Sequence, residues 1–302
     1  MRNVFKDIIK EPNKIAFGLT NLGLTKWMSD ERYLKWVYKL SFDKKLDLED
    51  PQTFNEKLQW LKINDRRPLY VQLVDKYKVK KYVAEVLGEE YIIPTLGVWD
   101  RFEDIDFDKL PDQFVLKCTH DSGGLAICRD KSTFDKKAAE KKIKRSLKSN
   151  FFWRGREWPY KNVKPRIIAE QYMYDGSGDL ADYKIHNFNG ETKFILVCRD
   201  RYQNSGLTED FFTEKWEHIP VKRPSHPNAK EKIEKPQMLE KMIELSRELS
   251  KDIPFSRIDF YEIGGKIYFG EITFFPASGF AGFEPESYDS EFGKYLDIKK
   301  QN

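Results

Sequence analysis

Two short polar segments near the C-terminal end of the sequence have the residue types of a metal and phosphate site. Arg257-Ile258-Asp259 alternates polar and apolar residues, and so does Glu271-Ile272-Thr273. In β-strands this alternation places the two polar residues of each segment on one face. Carboxylate and hydroxyl oxygens suit Mg²⁺, which leaves its other ligand positions to water and nucleotide phosphates. A surface salt-bridge ladder with Arg257 is the alternative interpretation.

The turn between these segments decides whether the two carboxylates meet. A two-residue Gly264-Gly265 loop would place Asp259 and Glu271 on opposite faces of the hairpin. A three-residue loop ending in Gly265, with Glu262 opposite Lys266, would place both carboxylates on one face. We predict the second arrangement, with the carboxylates close enough to share one ion.

A basic residue followed by a glycine-containing loop forms a second candidate. Lys117 ends the apolar run Phe114-Val115-Leu116, which is typical of a buried strand. A buried ammonium group is costly unless an anion meets it, so we expect a negative group nearby. The residues His120-Asp121-Ser122-Gly123-Gly124 then form a polar loop whose backbone N–H groups could cradle phosphate. An ordinary hairpin turn explains the same loop.

Two further segments place polar residues beside strands. Glu170-Gln171-Tyr172-Met173 follows the apolar run Ile167-Ile168-Ala169. It is either a connector whose backbone could hydrogen-bond an adenine edge or a simple strand end. Asp182, Lys184 and His186 form the polar face of another strand, which fits a cleft or an exposed sheet face.

Several common catalytic and metal-binding motifs do not occur. Gly18 and Gly23 have P-loop spacing, but Leu24 stands where the motif requires lysine. The four histidines lack the spacing of a zinc site. The three cysteines form neither a C-x-x-C pair nor an even disulfide set, which favours a reducing, cytoplasmic location.

The composition favours a folded protein that is neither membrane-spanning nor nucleic-acid-binding. The 302 residues include 22 Phe, 15 Tyr and 7 Trp, which supply apolar volume for a core. Lys and Arg exceed Asp and Glu by only 53 to 49, too little to indicate a nucleic-acid partner. No window approaches the about 18 apolar residues of a spanning helix. The first 25 residues mix apolar and basic side chains, so a peripheral membrane contact stays open beside packing on the protein itself.

Capping residues predict helices in the first third of the chain. Ser29 can cap one helix, and Thr53-x-x-Glu56 is a capping box before another. A third helical stretch is predicted from Pro68 to Gly88.

Strands dominate from residue 91 onward. They are predicted over residues 92–98, 113–118, 125–129, 166–173, 182–188, 193–199, 255–263 and 267–274, with helices over residues 133–148 and 236–251. Asn189-Gly190 is a strong hairpin signal. The fold class is therefore predicted as α+β, mainly antiparallel. We expect an N-terminal helical region over 1–88, a first lobe over 89–172 and a second lobe over 173–302.

In their order along the chain these segments resemble the ATP-grasp superfamily, whose two α+β lobes clasp a nucleotide. The resemblance runs from about residue 70 to 285. It rests on Asp75-Lys76, Lys117 with its loop, Glu170-Gln171-Tyr172-Met173, Arg257-x-Asp259, and Glu271-x-Thr273 followed by Pro276 and Gly279. More narrowly, the segments D-Y-K-I-H, R-D-R and E-I-T-F-F-P-A-S-G resemble the teichuronopeptide-biosynthesis (TupA-like) branch, which is associated with bacterial cell-surface polysaccharide assembly.

The resemblance implies a role for each segment. Lys76, Lys117 and Lys184 would bind ATP together with the loop from His120 to Gly124, and Glu170 to Met173 would hold adenine. Asp259, Glu271 and Thr273 would bind magnesium, with Arg257 beside the γ-phosphate. Thr273 departs from the asparagine of most ATP-grasp ligases, which puts a second metal ion in doubt. Ser278 and Gly279 would contact substrate.

The implied reaction joins a carboxylate to an amine through an acyl phosphate and releases ADP. Lys117 and Arg257 are the predicted catalytic residues, and Arg199 and Arg201 are candidates for holding the acid. The resemblance favours a uronic acid and an amino acid as substrates, in the cytoplasm or at the inner face of the membrane. Two alternatives are a glycosyltransferase, based on the D-x-D sequence Asp104-Ile105-Asp106, and a non-catalytic nucleotide-binding subunit.

Overall fold

The computed structural model describes residues 13–176, 180–201 and 206–299. Within these ranges the chain forms two antiparallel sheets, one of four strands and one of six, together with α-helices. This arrangement confirms the predicted α+β class. None of the helices in the described ranges is long and apolar enough to cross a membrane.

Five α-helices precede the first sheet within the described residues. They are α1 (Asn13–Asn21), α2 (Asp30–Phe42), α3 (Phe54–Asn64), α4 (Pro68–Leu73) and α5 (Lys78–Leu87). The Ser29 side chain caps α2, and the Thr53 and Glu56 side chains form the predicted capping box of α3. The stretch predicted as one helix from Pro68 is two helices, because the chain turns between α4 and α5. There the Asp75 carboxylate accepts the backbone N–H groups of residues 77 and 78.

The four-stranded sheet has the order β1-β4-β2-β3. Its strands are β1 (Thr95–Trp99), β2 (Phe114–Cys118), β3 (Leu125–Cys128) and β4 (Ile167–Gln171). Between β3 and β4 lie α6 (Lys136–Leu147), which packs on β2 and β3, and the short α7 (Phe152–Gly155). Apolar residues of this sheet and of α6 form a separate hydrophobic core.

The six-stranded sheet has the order β10-β9-β5-β6-β7-β8. Its strands are β5 (Asp182–Phe188), β6 (Glu191–Arg199), β7 (Thr208–Thr213), β8 (His218–Ile219), β9 (Phe255–Ile263) and β10 (Lys266–Thr273), with α8 (Leu239–Leu249) before β9 and α9 (Ser287–Tyr295) after β10. Asn189 and Gly190 form the predicted two-residue turn, both with positive φ. The strands β7 and β8 were not predicted.

The β9–β10 hairpin reaches the predicted arrangement of carboxylates by a different route. Its turn is the two-residue Gly264-Gly265 loop, because Ile263 pairs with Lys266. The prediction of a three-residue loop is therefore wrong. A β-bulge at Gly270 adds the odd residue instead, so that Glu271 lies directly opposite Asp259 and on the same face.

The hydrophobic cores show how the site is supported. The largest cluster joins the six-stranded sheet to α3, α4 and α5, including Phe54, Leu58 and Leu73. A third cluster joins α1 and α2 to Phe280. The N-terminal helices thus pack on the strands that carry the charged residues. The boundaries at residues 88 and 172 stay a prediction.

We predict that Gly270→Ala destabilises the protein. A Cβ atom at residue 270 would lie 3.1 Å from the backbone oxygen of Asp259, closer than normal packing permits. The expected loss is about 1–3 kcal/mol of the free energy of unfolding, measured by urea denaturation. The control is Gly18→Ala in α1, where a Cβ atom meets nothing within 4 Å and should stabilise the helix by about 0.5–1 kcal/mol. Equal stability of the two variants would contradict the role of the bulge.

Candidate active site

The β9–β10 hairpin brings two carboxylates around one guanidinium. Arg257 donates to both carboxylate oxygens of Asp259 at 2.7 Å and to Glu271 Oε1 at 2.9 Å. Its Nη2 also lies 3.0 Å from the Thr273 hydroxyl. Burial disfavours the charged form of Arg257, but Asp259 and Glu271 outweigh burial and raise the pKa of Arg257. The four predicted residues therefore form one cluster.

A second cation enters this cluster from β5. Lys184 lies opposite Asp259 in the β5–β9 pairing. Its Nζ forms ion pairs with Asp259 and with Asp182, the latter at 2.5 Å. Lys184 is buried, yet the two carboxylates raise its pKa above the ordinary value. The polar face of β5 therefore points into the protein, and the interpretation of an exposed sheet face is wrong.

Glu170 lies buried between two lysines. Lys117 Nζ is 2.6 Å from Glu170 Oε2, and Lys80 Nζ is 2.5 Å from Glu170 Oε1. Burial would raise the pKa of Glu170, but Lys117 and Lys80 outweigh it and lower the pKa to about 2. Glu170 is thus the anion expected near Lys117. Lys80 was not predicted, because it is one of four lysines within residues 76–81 and no pattern distinguishes it.

The loop after Lys117 is fixed to the C-terminal end of α6. The Asp121 carboxylate accepts the Gly124 N–H at 3.1 Å and the Ser146 hydroxyl, and His120 Nε2 lies 3.2 Å from the Ser146 carbonyl. His120 and Asp121 are buried, whereas Ser122 and Gly123 are exposed. The exposed tip of the loop is therefore Ser122-Gly123, and the side chains of His120 and Asp121 hold it in place.

Glu271 contacts Arg257 and lies in the electrostatic field of three lysines. Enclosure in the protein would raise the pKa of Glu271, but Arg257, Lys76, Lys184 and Lys117 outweigh it and lower the pKa to about 2. The Glu271 side chain nevertheless keeps 39% of its exposure, so it is the part of the cluster open to a ligand. The cations predicted to bind phosphate thus all act on the charge of Glu271.

A cleft between the two sheets borders the charged residues at Lys117 and Asp182. It has a volume of about 870 Å³, including space open to solvent. One wall is formed by β2 and β3, including Lys117, and the other by Asp182 and Tyr261 of the six-stranded sheet. The predicted adenine-binding residues line it as well, namely Glu170, Gln171, Tyr172 and Met173. Glu170 and Gln171 end β4 and the next two residues follow it, and the role of this segment as a connector that holds adenine stays a prediction.

A second cavity, of about 1000 Å³ including open space, borders the cluster at Arg257, Glu271 and Thr273. The loop residue Ser122, Arg257 and Glu271 line it, together with Ser278 of the turn after β10. Arg154 of α7 and Glu157, which follows α7, also line this cavity. Neither residue was predicted.

The two arginines predicted to hold the acid lie elsewhere. Arg201 lines the cleft between the sheets, 3.7 Å from Asp182, and Arg199 ends β6. Neither is among the described residues that line the second cavity. Their role as acid-binding residues stays a prediction.

The oxygens of the cluster fit a hard divalent cation at one position. Glu271 is anionic and lines the second cavity, and the Thr273 hydroxyl lies beside it on the same face. Asp259 shares both oxygens with Arg257 and Lys184. Among the described residues, no group of three or more His, Cys, Asp or Glu side chains forms a metal site. The donor set is thus suited to one ion that also binds phosphate, as for Mg²⁺.

Comparison with solved structures finds distant similarity to ATP-dependent ligases. A D-alanine–D-alanine ligase from Bacillus anthracis, complexed with ATP, is 19% identical over 67% of this chain and 55% of its own, with a TM-score of 0.40. The Helicobacter pylori D-alanine–D-alanine ligase is 17% identical over 81% and 69%, with a TM-score of 0.39. The ATP-grasp ligase PsnB, in complex with Mg and ADP, is 10% identical over 81% and 62%, with a TM-score of 0.41.

These similarities are too weak to assign an activity, and the chain spans only about half of the Bacillus anthracis ligase. No curated protein matches the chain significantly. The sequence model of the TupA-like ATP-grasp family, in contrast, matches residues 56–297. This range includes every residue of the charged cluster and both lysines that pair with Glu170. The chain therefore belongs to the TupA-like ATP-grasp family.

Proposed function

We propose that this protein is an ATP-dependent carboxylate–amine ligase that forms an amide through an acyl phosphate and releases ADP. The observation that carries the proposal is the cluster in which Arg257 holds Asp259 and Glu271 while Lys184 pairs with Asp259. Arg257, Lys184 and Lys117 are cations that can bind the negative charge of a metal-bound triphosphate. The predicted lobes, residues 89–172 and 173–302, would close on the nucleotide.

Each residue of the cluster has a distinct part in this proposal. The base of ATP enters the cleft along residues 170–173, and its phosphates reach Lys117 and Lys76. Arg257 and Lys117 stabilise the charge that spreads over the transferred phosphoryl group. Mg²⁺, held by Glu271, Thr273 and Asp259, would neutralise phosphate charge. An amine then displaces phosphate from the acyl phosphate and completes the amide.

The proposed substrates are a uronic acid of a cell-surface polysaccharide or its precursor and an amino acid. This finer assignment rests on the association of the TupA-like branch with polysaccharide assembly, and it places the reaction in the cytoplasm or at the inner membrane face. The test is incubation with ATP, Mg²⁺, uronic acids and a panel of amino acids. We expect ADP, not AMP, and only when an acid is present. AMP or acid-independent product would contradict the proposal.

Nucleotide specificity provides a prediction that can be tested without the acid and the amine. ATP with Mg²⁺ should raise the melting temperature, because a ligand that binds only the folded state stabilises it. Lys117→Met should weaken ATP binding by about tenfold or more, since the phosphates lose a charged donor. UDP-sugars should stabilise less than ATP in the same thermal-shift experiment. Strong stabilisation by a UDP-sugar and none by ATP would favour the glycosyltransferase alternative.

A pair of charge-removing variants tests the cluster itself. Asp259→Asn and Glu271→Gln keep side-chain volume but remove charge, so acid-dependent ATP turnover should fall by about a hundredfold or more. The matched control is Asp104→Asn with Asp106→Asn. These carboxylates are exposed and pair with Arg101 and Lys109 within their own loop. Turnover of this double variant should stay within about twofold of the wild type. Circular dichroism would establish that each variant is folded. An inactive control beside an active Asp259→Asn would show that the active site has been placed in the wrong part of the chain.

A further inference from the structure

The turn after β10 has an unusual backbone conformation at the second cavity. Ala277, Ser278 and Gly279 have φ values of 48°, 55° and 61°. Glycine adopts this left-handed region readily, but alanine and serine do so at a cost that the surrounding structure must offset. Such residues are concentrated at functional sites, which directs attention to the side chain that this turn presents.

Two buried side chains of α3 hold the turn in place. Gln59 Nε2 donates to the Gly279 carbonyl at 2.8 Å, and Lys62 Nζ donates to the Ser278 carbonyl at 2.7 Å. Lys62 is completely buried, and burial lowers its pKa against the opposing influence of Glu157. Complete burial of a lysine ammonium group costs free energy of folding. The contacts of Lys62 fix the position of Ser278.

The Ser278 hydroxyl donates a hydrogen bond to the Glu157 carboxylate. Glu157 is buried, and burial raises its pKa. A Cβ atom at Gly155 would overlap the Ser278 side chain, so glycine is required for the two groups to meet. Both Ser278 and Glu157 line the second cavity, next to Arg257 and Glu271.

A positive charge, that of Arg154, lies at the exposed end of the same cavity. The Arg154 guanidinium stacks over Phe17, 5.0 Å from the ring centroid. Within the described part of the chain, no carboxylate forms an ion pair with it. The cavity thus has a carboxylate with a hydroxyl at its inner end and a guanidinium at its mouth. An α-amino acid carries the complementary pair, an ammonium group and a carboxylate.

We propose that this cavity binds the amine substrate as an α-amino acid, with its ammonium group at Glu157 and Ser278 and its carboxylate at Arg154. The inference rests on the proposed ligase function, whose acyl phosphate would form beside Arg257 and Glu271. A simple amine or ammonia would leave Arg154 without a role.

The same arrangement supplies the proton acceptor that amide formation needs. An ammonium group must lose a proton before its nitrogen can attack. Ser278 passes this proton to the carboxylate of Glu157, and the lone pair of the amine forms the C–N bond. The C–O bond to the phosphoryl group breaks, and phosphate leaves with that electron pair and with the second proton of the amine nitrogen, as hydrogen phosphate. Glu157 returns its proton to water after the product dissociates.

The binding test uses the full-length protein with Mg²⁺ and ADP, titrated calorimetrically with the twenty standard amino acids. For each amino acid that binds, its carboxamide and its deaminated acid are titrated as well. We expect at least one amino acid to bind, and both analogues to bind about tenfold or more weakly, because each lacks one charged contact.

Variants assign the two ends of the cavity. Arg154→Gln should weaken binding of the amino acid by about tenfold but leave the Kd of the carboxamide unchanged. Glu157→Gln should weaken binding of both compounds. The matched controls are Arg32→Gln, an exposed arginine, and Asp289→Asn, a buried carboxylate that accepts the Asn55 N–H. Both should bind as the wild type does. Absence of binding by every amino acid, or unchanged binding by Arg154→Gln and Glu157→Gln, would overturn the proposal.

A half-reaction separates this site from the ligase function. Hydroxylamine is largely uncharged at neutral pH and needs no proton acceptor, so it can intercept the acyl phosphate made from a uronic acid. Ser278→Ala and Glu157→Gln should keep hydroxylamine-dependent ADP formation but lose amide formation by about a hundredfold. Equal loss of both would overturn the proton-accepting role. If the wild type forms no ADP with hydroxylamine, the ligase function fails, while the titration still decides whether the cavity binds an amino acid.

Discussion

Arg257 is the residue on which the arrangement of the site depends. One guanidinium holds two carboxylates from neighbouring strands, and a third strand adds Lys184 to the same cluster. Buried charges are tolerated only when their partners are in place. The register of β9 and β10 is therefore constrained by charge as well as by apolar packing. A shift of one residue would carry Glu271 and Thr273 to the other face and leave Arg257 without either of them.

Glu170 resolves a similar problem at the other end of the cleft. One buried carboxylate is shared by Lys80 and Lys117, so the three groups together carry a positive charge. Lys80 is nearly enclosed, whereas the Lys117 side chain keeps 25% of its exposure. If phosphates draw Lys117 toward the cleft, Lys80 still neutralises Glu170. The second lysine thus allows the first to bind a ligand without leaving a buried carboxylate unpaired.

The sequence predicted the features that depend on neighbouring residues. The capping box of Thr53 and Glu56 and the turn at Asn189-Gly190 are local, and the structure has both. The facing of Asp259 and Glu271 was predicted correctly for a wrong reason, because a bulge depends on packing across strands and has no fixed sequence pattern. Glycine at position 270 was its only signal. The hydrogen bond from Ser278 to Glu157 joins residues 121 positions apart, and no sequence periodicity reveals such a contact.

The two cavities lie at different positions along the strand β9. Tyr261 lines the cleft that holds residues 170–173, and Arg257, four residues earlier on the same strand, lines the second cavity. Four residues of strand span about 13 Å. A nucleotide whose base lies near Tyr261 and whose phosphates follow the strand would bring its last phosphate to Arg257. There the second cavity begins, with Ser278 and Glu157 beyond. A single strand would therefore order the base, the phosphates and the nucleophile along one line, which is the requirement for transferring a phosphoryl group and then displacing it.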